Sequence, residues 1–189
     1  MRRAQLGAGV LVLAALAFGR FVSEALPGNE VSNDPISRPA TIGEPVHLRA
    51  FDVTVSQVRG AKEIVAGTTP LATPGIWVVA DLVVVPRSEA LRPGYAAVRA
   101  ADGRLWETAG SRSRVDCPGA IAGVVSRCTA YLDVARDGLA DAELLIGWHP
   151  DDRRFDDLAV LPLAVSDAQL QAWEAATEPL EIPQGTVGS

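Results

Sequence analysis

The sequence predicts an all-β fold: an antiparallel β-sandwich of seven to eight strands, with an N-terminal transmembrane or signal helix and a short C-terminal helix. Three observations predict it. Between residues 47 and 163, short runs rich in β-branched and aromatic residues recur about every 8 to 12 residues, separated by Gly, Pro and acidic turns. Residues 51–56 alternate, Phe51, Val53 and Val55 against Asp52, Thr54 and Ser56, as a half-buried strand does. Only one capped helical pattern follows them. A composition of 48% hydrophobic and 21% charged over 189 residues suits one sizeable core and leaves little for a second.

At the N-terminus, Arg2 and Arg3 precede an uncharged apolar run from Leu6 to Phe18. That pattern directs export or anchoring. Extended from Ala4 to Val22 the run has 19 residues, about 28 Å of helix, and Arg20 can snorkel to the headgroups. Residues 1–22 are therefore expected to be an uncleaved single-pass anchor that touches the cell membrane through residues 4–22. The alternative is a signal cleaved after Ala25, giving a secreted protein, since Ser23-Glu24-Ala25 offers small residues at the two positions a signal peptidase reads. In both readings the C-terminal domain is extracytoplasmic, because Arg2 and Arg3 stay inside while Glu24, Glu30 and Asp34 follow on the far side. No cysteine follows the run, which argues against a lipid-modified terminus.

Residues 23–45, rich in Ser, Asn, Pro and charge, are expected to form a flexible linker, and 46–165 the sandwich. Strands are expected at 47–56, 76–85, 95–100, 105–108, 120–125, 129–134, 142–148 and 155–163, with a long connection over 60–75 and a tight turn at Asp102-Gly103. Ser166-Asp167-Ala168-Gln169 matches a capping box, so 166–178 is expected as a helix and 179–189 as a disordered tail. Such a short helix needs a tertiary partner, and Trp173 is expected to dock beside Trp77.

The runs Gly43-Glu44-Pro45-Val46, Phe51-Asp52-Val53-Thr54-Val55, Thr73-Pro74-Gly75-Ile76-Trp77, Asp102-Gly103-Arg104-Leu105-Trp106, Cys117-Pro118-Gly119 and Tyr131-Leu132-Asp133-Val134 together resemble the telokin-like extracellular domains of bacterial secreted and membrane-anchored proteins. The resemblance spans residues 43–163. It implies an immunoglobulin-like sandwich in a family of unknown function, and it carries over no catalytic residue. The chain departs from antibody-type domains because both cysteines follow Trp77 instead of bracketing it.

A net charge of −6 speaks against a nucleic-acid partner. Two histidines and two cysteines are too few for multi-His or four-Cys metal sites, and no phosphate-cradling glycine motif supports nucleotide binding. No catalytic residue, cofactor or metal ligand is assigned. In an exported domain the pair Cys117 and Cys128 is expected to be a structural disulfide, which for so short a loop stabilises by about 3 kcal/mol. The acidic run Asp151 to Asp157, interrupted by Arg153 and Arg154, is expected to be a solvated turn. Ser111 lacks the full G-x-S-x-G setting, so a hydrolase is only the enzymatic alternative.

One strand demands more. Over 76–85 both faces are apolar, with Trp77, Val79, Asp81 and Val83 on the second face, which needs a cover. Either the 60–75 segment or the helix bearing Leu170 and Trp173 supplies it, with Asp81 paired to an arginine, or Trp77, Val79, Asp81, Val83, Leu170 and Trp173 form a surface for another envelope protein. The functional expectation is a non-enzymatic module for protein–protein binding or envelope assembly, with a structural surface stalk as the third reading.

Overall fold

The computed structural model describes residues 18–21, 34–88, 91–109, 112–150, 154 and 156–188. The chain divides into two units, 1–34 and 35–189. Of the first, residues 18–21 are helical, and most of the expected membrane segment lies outside the described residues. Among the described residues no helix is long and apolar enough to cross a membrane.

The second unit is a sandwich of two sheets. One has five strands in the order β1 (Ile36–Pro39), β10 (Asp157–Pro162), β9 (Glu143–Gly147), β5 (Tyr95–Arg99) and β6 (Leu105–Glu107). The other has seven. Its path runs β11 (Leu180–Ile182), β3 (Phe51–Ala66), β4 (Thr69–Pro86), β8 (Ser126–Val134) and β12 (Thr186–Val187), with β2 (Pro45–His47) paired to β3 and β7 (Arg114–Asp116) to β8. Phe51, Val53, Ile76, Val78, Leu82 and Leu132 of the larger sheet meet Val98, Leu144, Ile146 and Leu161 of the smaller in one core. Alternation along each strand puts them there, since every second side chain faces inward.

The all-β sandwich is as expected, but several boundaries differ. There are more strands than seven or eight, and two pairings, β1 with β10 and β11 with β3, are parallel. The sandwich begins at β1, inside the expected linker, because the Ile36 amide donates to Asp156 and that of Ala40 to Val160. Residues 120–125 form no strand; Ala120 makes one bridge to Leu91, and Gly123, at φ 78°, turns the chain. The 60–75 segment is the tip of a long β3–β4 hairpin closed at Gly67, whose φ of 66° suits a two-residue turn. Its prolines suggested a loop. Pro70 and Pro74 are tolerated because β8 pairs with β4 only from Ile76 onward, so the tip is an edge.

The tip does not continue straight. Register shifts at Val55/Gln57 and at Ala61/Glu63 bend the hairpin. The Trp77 indole N–H donates to the Leu71 carbonyl at 2.8 Å, six residues back in the same strand. In a straight strand those residues would lie about 20 Å apart, so the tip must curl over the face carrying Trp77.

Cys117 and Cys128 form the expected disulfide, joining the end of β7 to β8 within the core. The helix α1 spans Asp167–Ala175, with Ser166 Oγ accepting from the Gln169 amide as its cap. Leu170 is buried and Trp173 half-buried, both against the main core, and Arg136 pairs with Glu174 at 2.8 Å. The expected docking of Trp173 beside Trp77 is therefore corrected. Its ring lies over Gly60 of β3, where a Cβ would come within 2.3 Å of it. Beyond α1, the expected disordered tail forms β11 and β12. Sequence patterns miss strands of three and two residues, which exist only through their pairing to β3 and β8.

Trp173→Ala is expected to lower the unfolding free energy by about 2 kcal/mol, below the range for a fully buried tryptophan. Gly60→Ala should cost a similar amount in the native background and much less in the Trp173→Ala background, where no ring blocks the new Cβ. Urea unfolding of the four proteins measures this coupling. An equal cost for Gly60→Ala in both backgrounds would refute the contact.

Candidate functional site: a basic cleft on the outer face of the larger sheet

The outer face of the seven-stranded sheet carries a second apolar cluster, Trp77, Val79, Tyr131, Ile64 and Ile182, with Leu71 and Leu180 packed against it. Trp77 and Val79 are fully buried. Neither is thus available as the free partner surface anticipated for them. Their cover comes from the curled hairpin tip and from β11, while Leu170 and Trp173 sit with the main core instead. Asp81 is half-buried and takes Arg59 at 2.8 Å, the arginine pairing expected of it; Val83 is half-buried farther along β4.

Beside this cluster an open cleft of about 620 Å³ forms between the hairpin tip, β7 and the segment after β11. Leu71, Val115, Tyr131 and Ile182 give it apolar walls, and Gln184 lies at its rim. Three guanidinium groups line it, those of Arg92, Arg112 and Arg114, against a single carboxylate, Asp116. β7 brings Arg114, Val115 and Asp116 to the lining, and Arg112 lies two residues before the strand. β7 in turn is held by its pairing to β8, Arg114 opposite Tyr131, and by the disulfide that follows it.

The three arginines differ in what they do for the fold. Arg112 pairs with Asp133, donates to the Ala72 carbonyl at 3.0 Å, and stacks 5.2 Å from the Trp77 ring centroid. It ties the curled tip to β8. Asp133 also accepts from the Thr73 hydroxyl, and its amide donates to Ser113 Oγ at 3.0 Å. Arg92 and Arg114 make no side-chain hydrogen bond or ion pair among the described residues. Burial raises the Tyr131 phenol above its ordinary pKa; Arg114 opposes that rise and Asp116 adds to it.

A second cavity, of about 300 Å³, is lined by Ser88, His149 and Asp156 together with Arg49, Arg154 and Trp148. These residue types make up a hydrolytic triad, so their geometry matters. Asp156 accepts from the backbone amides of Trp148, His149 and Asp157 and so closes the turn. The His149 ring lies against Trp148, with centroids 4.2 Å apart. His47 is 2.9 Å from Asp52, which also takes Arg87 at 2.7 Å. Partial burial pushes the Asp52 carboxyl up, and the hydrogen bonds from His47 and Arg87 outweigh it, leaving a lowered pKa. Asp157 is buried, accepts the Arg49 amide at 3.1 Å and has the Arg38 guanidinium 3.6 Å away. Ser111, Asp151, Asp152 and Arg153 lie outside the described residues.

No protein-family model matches this sequence, and no curated protein matches it. Solved structures do. An uncharacterized β-sandwich protein from Clostridium difficile 630 aligns at 10% identity over 69% of this chain and 96% of its own, with a TM-score of 0.47. The secreted protein MPT63 from Mycobacterium tuberculosis aligns at 14% identity over 68% and 97%, with a TM-score of 0.46. The yjhA protein from Bacillus subtilis aligns at 11% identity over 66% and 98%, with a TM-score of 0.42.

The division of labour among the arginines is measurable. Arg112→Ala is expected to lower stability by about 1 kcal/mol, a figure discounted because its side chain is 49% exposed. Arg114→Gln should stay within about 0.5 kcal/mol of the native protein. Thermal unfolding of both variants at matched ionic strength compares them.

Proposed function

We propose that this chain is a non-enzymatic extracytoplasmic module of telokin-like, immunoglobulin-like architecture, held at the cell membrane through residues 4–22, that binds another envelope component through the basic cleft. The observation that carries the reading is the cleft itself. It combines apolar walls with Arg92 and Arg114, two side chains that make no hydrogen bond or ion pair among the described residues, next to the covered cluster around Trp77. A structural stalk has no need of two such arginines gathered in one concavity. The exported location rests on Arg2, Arg3 and the apolar run after them, and the disulfide suits an oxidising compartment.

The enzymatic alternative rests on Ser88, His149 and Asp156 lining one cavity. It is the weaker reading, because Asp156 is committed to backbone amides and the imidazole is stacked on Trp148 rather than oriented by a carboxylate.

A photo-crosslinking residue placed at Gln184, on the cleft, and at Leu105, exposed on the other sheet, tests the binding reading in intact membranes. An adduct is expected from position 184 alone. Equal adducts from both positions, or none from either, would favour the stalk. The same membranes should retain the protein after carbonate washing, whereas release with a new terminus at Leu26 would establish cleavage in place of anchoring.

A further inference from the structure

Most arginines among the described residues are matched. Arg38 and Arg49 flank Asp157, Arg59 takes Asp81, Arg87 takes Asp52, Arg99 takes Glu143, Arg104 takes Asp102 and Asp137, and Arg136 takes Glu174. Among the described arginines, Arg92, Arg114 and Arg127 lack a side-chain hydrogen bond or ion pair, and the first two open on the same cleft. The clustering does not follow from general basicity, because the protein carries a net charge of −6. Arg112 is the third guanidinium there and is already matched by Asp133, so Arg92 and Arg114 face Asp116 as the one carboxylate in the lining. Like charges gathered in a concavity repel one another unless something neutralises them.

The missing charge has a definable chemistry. A guanidinium presents a planar fork of N–H donors that fits the paired oxygens of a carboxylate or phosphate, and it loses less on leaving water than an ammonium does. Beside the arginines the cleft offers a smaller apolar part, chiefly the half-buried Leu71 and Val115, with the nearly buried Tyr131 and Ile182 behind them. Gln184 supplies a neutral amide at the rim, able to donate and to accept. Inorganic anions would leave the apolar walls wet. A ligand with an anionic end and an apolar body fills both halves of the site.

We infer that the cleft bounded by β7, the β3–β4 hairpin tip and residues 182–184 recognises a phosphate group carried on an apolar body, with Arg92 and Arg114 as its direct ligands and Arg112 as the fixed wall beside them. This inference rests on the binding reading above and names the chemistry that the same cleft accepts. A lipid headgroup and a soluble phosphate ester both present that chemistry.

The test uses the full chain in an uncharged detergent, titrated by calorimetry with inorganic phosphate, phenyl phosphate and a short-chain phosphatidylglycerol. Phenyl phosphate is expected to bind about fivefold or more tightly than inorganic phosphate, because only it covers the apolar walls. The double variant Arg92→Gln/Arg114→Gln should weaken binding about tenfold or more with an unchanged melting temperature, while Arg127→Gln leaves affinity as it was. Tighter binding of phosphatidylglycerol than of phenyl phosphate would assign a lipid headgroup, and the reverse order a soluble ester. Affinity unchanged in the double variant, or a large drop in its melting temperature, overturns the inference. Saturable binding of none of the three probes, with the Gln184 crosslink still present, overturns the oxyanion and leaves the binding module standing. Loss of the crosslink as well removes both.

Discussion

Strand β4 has no wet side between Ile76 and Ala80. From Ile76 to Ala80 every residue is fully buried, and in a two-sheet sandwich only one face of a strand can meet the opposite sheet. Ile76, Val78 and Ala80 satisfy that arrangement in the main core; Trp77 and Val79 do not. Burying a tryptophan side chain is worth about 5 kcal/mol of gross transfer free energy, an upper bound that sets the scale of the incentive to cover this face. The hairpin tip, Tyr131 and the segment after α1 all take their positions from that requirement.

Each cover uses a different device. The tip is bent by the two register shifts and locked by backbone and side-chain bonds: Trp77 to Leu71, Lys62 to the carbonyls of Pro74 and Gly75 at 2.8 and 2.9 Å, and Thr73 to Asp133. Gly75 permits this approach, since a Cβ there would fall 2.2 Å from the Val134 carbonyl oxygen. Tyr131 meets Trp77 edge to face with centroids 5.9 Å apart, a favoured aromatic geometry. The C-terminal segment then passes from β3 to β8, pairing with the first through β11 and the second through β12. At Gly185 it runs close to Pro118 and the Asp116 carbonyl, where a side chain would not fit.

Much of this was legible because it is written in alternation and punctuation. The strands around Tyr95, Leu105, Thr129, Leu144 and Ala159, the Asp102-Gly103 turn, the Ser166 cap and the cysteine pair all follow from local chemistry. The same two-faced pattern of β4 announced that a cover must exist, and Asp81 announced its arginine. What supplies the cover was not legible, because β11 and β12 have no pattern of their own and become strands only by adding to edges already formed. Trp173 enters the other apolar face, since a helix of nine residues carries no signal for which groove it will enter; Gly60, the absence of a side chain, makes that choice. The cleft had one usable signal, the Arg112-Ser113-Arg114 run ahead of Val115 and Asp116, of which only Arg114 to Asp116 form a strand. Arg92, distant in sequence and reached through a bend, had none.

The cleft is a by-product of covering β4 incompletely, and this ties its chemistry to the stability of the cover. Ile182 belongs both to the cluster over Trp77 and to the cleft wall, and Arg112 both braces the tip and faces the cavity. A ligand seated there touches elements that are native only when the tip is curled and the C-terminal segment is laid across the sheet. Such a ligand binds the folded arrangement and not the open one, so occupancy adds to the cover in proportion to the logarithm of ligand concentration over its dissociation constant. The disulfide works on the same wall from the opposite direction, fixing β7 against β8 whether or not anything is bound. One wall of the site is thus covalently tied, the hairpin tip forms a second, and the C-terminal segment is held through the three- and two-residue strands β11 and β12. The tied side keeps Arg114 in register opposite Tyr131.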